Sequence, residues 1–166
     1  LVPKNSILFP DAGANQVWFF QAYQILKNQK IINQSGHAPM GHAIPCSIAG
    51  HYSMKFKNKT IICFTGDGGL MMNIQELEYI SSHNLPIKIV ILDNNVLGNT
   101  FVGSRAIFQG RTHANDIKNG YNPPQVKKIL RGFGFNVLEI DNDRNINKVF
   151  TKFLKLKKLC ALVVKI

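Results

Sequence analysis

Two runs dominate the hydrophobic pattern of the chain, Thr60 to Phe64 (TIICF) and Ile87 to Leu92 (IKIVIL). Both are apolar and β-branched, which predicts strands covered on both faces. Ser6 to Pro10 (SILFP), Ile31 to Asn33, Asn136 to Ile140 and Leu159 to Ile166 (LCALVVKI) predict four further strands. Mixed apolar and polar stretches predict helices from about Gln16 to Lys27, after Gly69, from Gln125 to Arg131 behind Pro123-Pro124, and from Asn145 to Lys155. Strands that alternate with helices predict an α/β fold, a doubly wound parallel sheet with helices on both faces. No repeat or low-complexity linker interrupts the pattern, so residues 1–166 read as a single domain.

The ends of the two central strands carry the candidate chemistry. The first runs into Gly66-Asp67-Gly68-Gly69, where bare backbone amides can face an anion and a helix N-terminus follows. The second ends in Asp93-Asn94-Asn95. Neighbouring parallel strands would bring Asp67 and Asn94 to one carboxyl edge, the edge where open α/β sheets bind ligands. Asp67 offers a charged oxygen, Asn94 a neutral one, and a loop carbonyl just beyond offers a third. Magnesium accepts such a sparse oxygen set and completes it with water and phosphate. The residues therefore read as a clamp for a metal and a diphosphate.

GDG, a spacer and NN together resemble the signature of thiamine-diphosphate-dependent enzymes, in particular the acetolactate synthase-like branch. The intervening NIQELEYISSHNLPIKIVILDNN is similar to that family's helix, Asn-Leu-Pro corner and second strand. The resemblance implies that Asp67, the Asn94 side chain and the Val96 carbonyl hold Mg2+. Asn95 competes with Asn94 for this role, and the spacing from Pro86 favours Asn94. Gly66, Gly68, Gly69 and Gly98 would let the diphosphate of thiamine diphosphate approach the main chain. Gly13, Ala14 and Asn15 match the family's first strand-to-helix loop, with Ala14 where relatives often carry glutamine. Ser35-Gly36 to Pro45 resembles the segment that lies against the pyrimidine ring, and Met40 takes the place of the residue that bends the cofactor. The segment departs from the family in His37, in Pro39 and in being one residue shorter before Met40. Thr100 to Ser104 also departs from it, where acetolactate synthases usually carry Arg-Gln-Trp. Phe108 to Arg111 and Asn119-Gly120-Tyr121 look like a mobile loop over the site, with Arg105 and Arg111 as candidates for an acidic substrate.

The resemblance implies a lyase or transferase that decarboxylates pyruvate or another 2-oxo acid and joins it to a second carbonyl compound. It implies a cytoplasmic homo-oligomer, with no nucleic acid and no membrane as partner. The family's activating glutamate comes from a pyrimidine-binding domain or subunit. Glu76, at capping-box spacing from Asn73, and Glu78 do not match it, and every carboxylate reads as metal ligand or surface. The chain alone is therefore expected to bind cofactor weakly or not at all and to be inactive, with no catalytic residue of its own. Alternatives are a subunit of a two-subunit 2-oxo acid decarboxylase and a non-catalytic basic binding module.

Composition changes this picture little. The net charge is +11, from 20 Lys and Arg against 9 Asp and Glu, but the lysines are scattered and read as solvated surface. Cys46, Cys63 and Cys160 show no metal-ligand spacing and read as free thiols. No apolar run is long enough to span a bilayer. Leu1-Val2-Pro3-Lys4 enters almost directly into a strand, which reads as a piece of a longer protein.

Overall fold

The computed structural model describes residues 1–166, the side chain of Met54 excepted. Six strands form one sheet: β1 (Ser6–Pro10), β2 (Lys30–Ile31), β3 (Thr60–Gly66), β4 (Ile87–Asp93), β5 (Asn136–Ile140) and β6 (Cys160–Lys165). Their order is β2-β1-β3-β4-β6-β5, and every pairing is parallel. The helices are α1 (Ala14–Ala22), α2 (Ala43–Tyr52), α3 (Asp67–Met72), α4 (Glu76–Ser82), α5 (Gly98–Ile107), α6 (Val126–Gly132) and α7 (Ile146–Lys155).

Strand periodicity divides the interior in two. Ile7, Phe9, Ile61, Cys63, Ile89, Ile91, Ala161 and Val163 face a core completed by α2, α3, α4 and α6. Leu8, Ile62, Val90 and Leu162 face a second core, completed by Phe19 of α1 and Phe153 of α7. The chain leaves β1 over the α1 face and leaves β3 over the α3 face. The crevice between the loops that follow β1 and β3 is thus the switch point of the sheet.

Several elements differ from the sequence expectation, each for a local reason. Helix α1 stops at Ala22 because residues 23–29 wrap around the buried amide of Gln29, which bonds the Tyr23 hydroxyl, Leu26 N and the Pro3 carbonyl. Of its apolar residues only Phe19 is buried, while Val17, Trp18 and Phe20 stay exposed. The segment that resembled the pyrimidine wall runs into helix α2, which begins at Ala43. Its Pro45 lies in the first turn, where no backbone donor is needed. Gly50 in α2 lets Phe9 approach, since a β-carbon there would lie 2.5 Å from Phe9 Cζ.

The helix expected after Gly69 is two short helices broken at Asn73. That residue has non-helical torsions; its Nδ2 donates to the Gly41 carbonyl and its Oδ1 accepts from Gln75 Nε2, so the capping box with Glu76 does not form. Lys88 is also no surface residue. It is buried, bonding the Leu156 carbonyl and Cys160 Sγ, with Nζ 5.6 Å from the centre of the Phe153 ring. Among the described residues no helix is long and apolar enough to cross a membrane.

Candidate active site: a cofactor cavity at the switch point

The carboxyl ends of β1, β3 and β4 enclose a cavity of about 230 Å³. Gly13, Ala14 and Asn15 line it from the first loop and Met40 from the second. Gly66, Asp67, Gly68 and Gly69 form its floor, and Asn94, Val96 and Gly98 close it from the third loop. The cofactor and metal residues expected from sequence therefore all line one cavity. Asn95 does not line it and faces a separate groove with Arg105, Thr112 and Lys118. Arg111 lines neither; it is exposed and bonds the Phe108 carbonyl.

The glycines serve different ends. Gly98 admits Ala14, for a β-carbon on it would lie 2.7 Å from Ala14 Cβ, and this contact draws the first and third loops together. A β-carbon on Gly68 would meet Met40 Cε and Leu97 Cδ2, both at 2.7 Å. Gly66 has only ordinary contacts at 3.8 Å, so its missing side chain leaves open space in the cavity. Gly69 instead lies against the Asp11 carboxylate and Thr65 Oγ1.

Asp67 opens α3 at the cavity floor and is 2% exposed. Its carboxylate accepts from the Gly68 N–H and from the Tyr121 hydroxyl at 3.4 Å, and no cationic side chain pairs with it among the described residues. Burial, reinforced by the charge of Asp93, pushes its pKa up. The same burial, with Asp67 alongside, pushes Tyr121 up to about 12. Asn94 Oδ1 accepts from Val96 N at 3.1 Å, a turn that folds the third loop and leaves a second lone pair on that oxygen. An unneutralised buried carboxylate beside a neutral amide oxygen is a donor set that suits a hard divalent cation. The open glycine floor suits a phosphate group against the main chain. The residues present fit a metal diphosphate.

Two more aspartates lie at this edge, and neither is surface or an expected ligand, which corrects the reading of the carboxylates. Asp11 is fully buried at the end of β1. It accepts from Ala12 N, from Gly41 N with both oxygens at 3.0 Å, and from Thr65 Oγ1 at 2.6 Å. His42 Nδ1 lies 3.0 Å from the same carboxylate and 2.8 Å from the Pro39 carbonyl. Both neighbours only accept, so Nδ1 carries the proton. Asp93 is paired with Lys165, and its other oxygen is buried without a partner.

Residues 11–164 match the model of the thiamine pyrophosphate enzyme C-terminal TPP binding domain. The chain belongs to the thiamine pyrophosphate enzymes. Within that family it is the C-terminal domain, which binds thiamine diphosphate. A probable acetolactate synthase large subunit of Methanococcus aeolicus is 30% identical over 147 residues, covering 89% of this chain and 24% of the relative. The Escherichia coli K12 acetolactate synthase isozyme 2 large subunit is 34% identical over 134 residues, covering 81% and 24%. Isozyme 1 of the same bacterium is 30% identical over 142 residues, covering 86% and 24%. The chain spans about a quarter of the length of these relatives.

Sequence reasoning missed Asp11 and Asn73 as supports of this thiamine pyrophosphate site, and placed Tyr121 in a loop over it without the contact to Asp67. For Asp11 a signal was present, a charged residue directly after a mostly apolar strand and two before a glycine. For Tyr121 none was: it reaches Asp67 across 54 positions of chain, through a loop without periodic pattern.

Proposed function

We propose that this chain holds the diphosphate and Mg2+ of thiamine diphosphate for an acetolactate synthase-like enzyme acting on pyruvate or another 2-oxo acid. Asp67, Asn94 Oδ1 and the Val96 carbonyl hold the metal. Gly66, Gly68 and Gly98, with the Gly13-Ala14-Asn15 turn, admit the diphosphate to the main chain, and Met40 supports the ring-bearing part. When bound, the cofactor supplies the electron sink for decarboxylation and carboligation. The chain's own residues bind, orient and neutralise charge. Asp67 is the one carboxylate on the cavity wall among the described residues, and as metal ligand it is not available as the activating acid. Turnover on this reading requires a pyrimidine-binding domain or subunit that brings a glutamate. The same reading makes the parent a cytoplasmic homo-oligomer.

The observation that supports it best is the convergence of three separate loops, carrying Asp67, Asn94 and the glycines, on one cavity. Thermal unfolding at millimolar Mg2+ and thiamine diphosphate tests it, because a ligand of the folded state alone stabilises by about 2.7 kcal/mol at a hundredfold excess over Kd. The expected result is a rise in Tm that needs both components and is absent in Asp67→Ala. A rise independent of Mg2+, or retained in Asp67→Ala, would overturn the metal assignment. No rise, even with a pyrimidine-binding partner supplied, would overturn the reading as a whole.

A further inference from the structure

Met40 reaches over Gly68, where its terminal methyl would lie 2.7 Å from an added β-carbon. Its side chain is 39% exposed, so packing alone does not fix a chain with this many rotatable bonds. Its backbone, by contrast, is held from two sides. The next residue, Gly41, has a φ of +87°, and a β-carbon on it would lie 2.6 Å from Met72 Cβ and 2.9 Å from the Gly69 carbonyl oxygen. The Gly41 N–H donates to both oxygens of Asp11, and its carbonyl accepts from Asn73 Nδ2 at 3.0 Å. Asp11 is itself fixed by Thr65 and by burial, and Asn73 sits at the break between α3 and α4. Neither residue lines the cavity.

We infer that Asp11 and Asn73 are positioning residues that clamp the Gly41 peptide groups and so set Met40 against Gly68. The clamp selects the ring-bearing part of the ligand rather than its diphosphate. This rests on the cofactor assignment proposed above. The diphosphate meets Asp67, Asn94 and the glycines, none of which carries Met40. Loosening Gly41 therefore changes what the cavity holds beyond the phosphates and leaves the phosphate contacts in place.

Nuclear magnetic resonance titration of the methionine-methyl-labelled chain reads weak affinities and tests this directly. The ligands are Mg2+ with inorganic pyrophosphate and Mg2+ with thiamine diphosphate, added to wild type, Asn73→Ala and Asp11→Asn. Asn73→Ala removes one hydrogen bond to Gly41 at a half-buried position, with an exposed one from Gln75, and keeps the test open if Asp11→Asn fails to fold. Its affinity for thiamine diphosphate should fall about five- to tenfold, the size of one hydrogen bond, while that for pyrophosphate stays within about twofold. In the ligand-free variant the contact signal between the Met40 methyl and Gly68 should weaken. An equal fall for both ligands, or no fall for either, would overturn the clamp. Wild type that binds neither ligand, even with a pyrimidine-binding partner supplied, would overturn the cofactor reading itself, and the clamp with it.

Discussion

Asp11 and Asp67 stand at the ends of adjacent strands, and both are almost wholly buried, yet they are opposite in character. Asp11 is surrounded by donors drawn from its own turn, from Gly41 and His42, and from Thr65. Asp67 has only the backbone N–H groups of Gly68 and of Asp67 itself, one long contact to Tyr121 and no cation among the described residues. Burial alone does not distinguish a structural carboxylate from a ligand-binding one. The count of partners does, because a buried charge that the protein leaves unneutralised is costly unless something else neutralises it. Asp11 is a post that ties three segments together. Asp67 is a socket.

The largest expected effect follows from removing the post. Asp11→Ala leaves Gly41 N without its acceptor, takes one of two acceptors from the Thr65 hydroxyl and from His42 Nδ1, and should cost about 3–5 kcal/mol by the precedent of broken buried pairs. The midpoint of urea unfolding reads it. Asp67→Ala should cost nothing without ligand, because burial disfavours its charged form and raises its pKa in the folded state. A carboxylate of that kind opposes folding at neutral pH, so its loss should leave the ligand-free Tm unchanged or higher while the response to Mg2+ and thiamine diphosphate disappears. Equal losses of stability in the two variants would break the contrast.

The same contrast explains what was legible in the sequence. Strand positions, sheet class and the set of cavity residues were readable because they rest on local pattern, an apolar run ending in Gly-Asp-Gly or in Asp-Asn-Asn. Helix α2 was hidden behind Ala43-Ile44-Pro45, whose proline reads as an interruption although the first helical turn tolerates it. The break at Asn73 was hidden because its cause is a carbonyl 32 residues away. The place of Asp11 at the end of a strand was a local signal, but its role was not legible, since all its donors except Ala12 come from residues 41–43 and 65. Long-range hydrogen bonds set these positions, and periodicity does not encode them.

Two neighbouring glycines sharpen the comparison with a smaller effect. Gly69→Ala drives a methyl against the Asp11 carboxylate and to 2.5 Å from Thr65 Oγ1, so it strains the post. Overpacking of this kind should cost about 1–3 kcal/mol. Gly66→Ala meets nothing closer than 3.8 Å, and its φ of −89° suits any residue, so stability should change by about 0.5 kcal/mol or less. Its methyl enters the space beside Asp67, so Gly66→Ala should show its effect in affinity for Mg2+ with pyrophosphate. Unfolding midpoints and titrations on the pair separate the two roles, and a stability loss in Gly66→Ala as large as in Gly69→Ala would merge them.

The smallest effect concerns a third carboxylate, which is partly exposed and satisfied at once. Asp116 accepts from Asn119 Nδ2 at 2.8 and 2.9 Å, from Asn119 N at 3.1 Å and from the Thr112 hydroxyl at 2.8 Å. These bonds, with Asn119 foremost, hold its pKa below the ordinary 3.8. A pKa depressed in the folded state adds stability above the ordinary value, and that contribution is lost as pH falls through the depressed one. The global effect is small because the group is open to solvent. The local effect is legible, since the Asp116 carbonyl also accepts from Tyr121 N at 2.9 Å and so ties this turn to the residue over Asp67. Following the Asn119 and Tyr121 amide signals on acidification should show both shift together, with a midpoint below 3.8. Asp116→Asn should produce the same loosening at neutral pH. A midpoint at or above the ordinary value would mean that the turn is held by its backbone bonds alone, and that Tyr121 is positioned by its own burial.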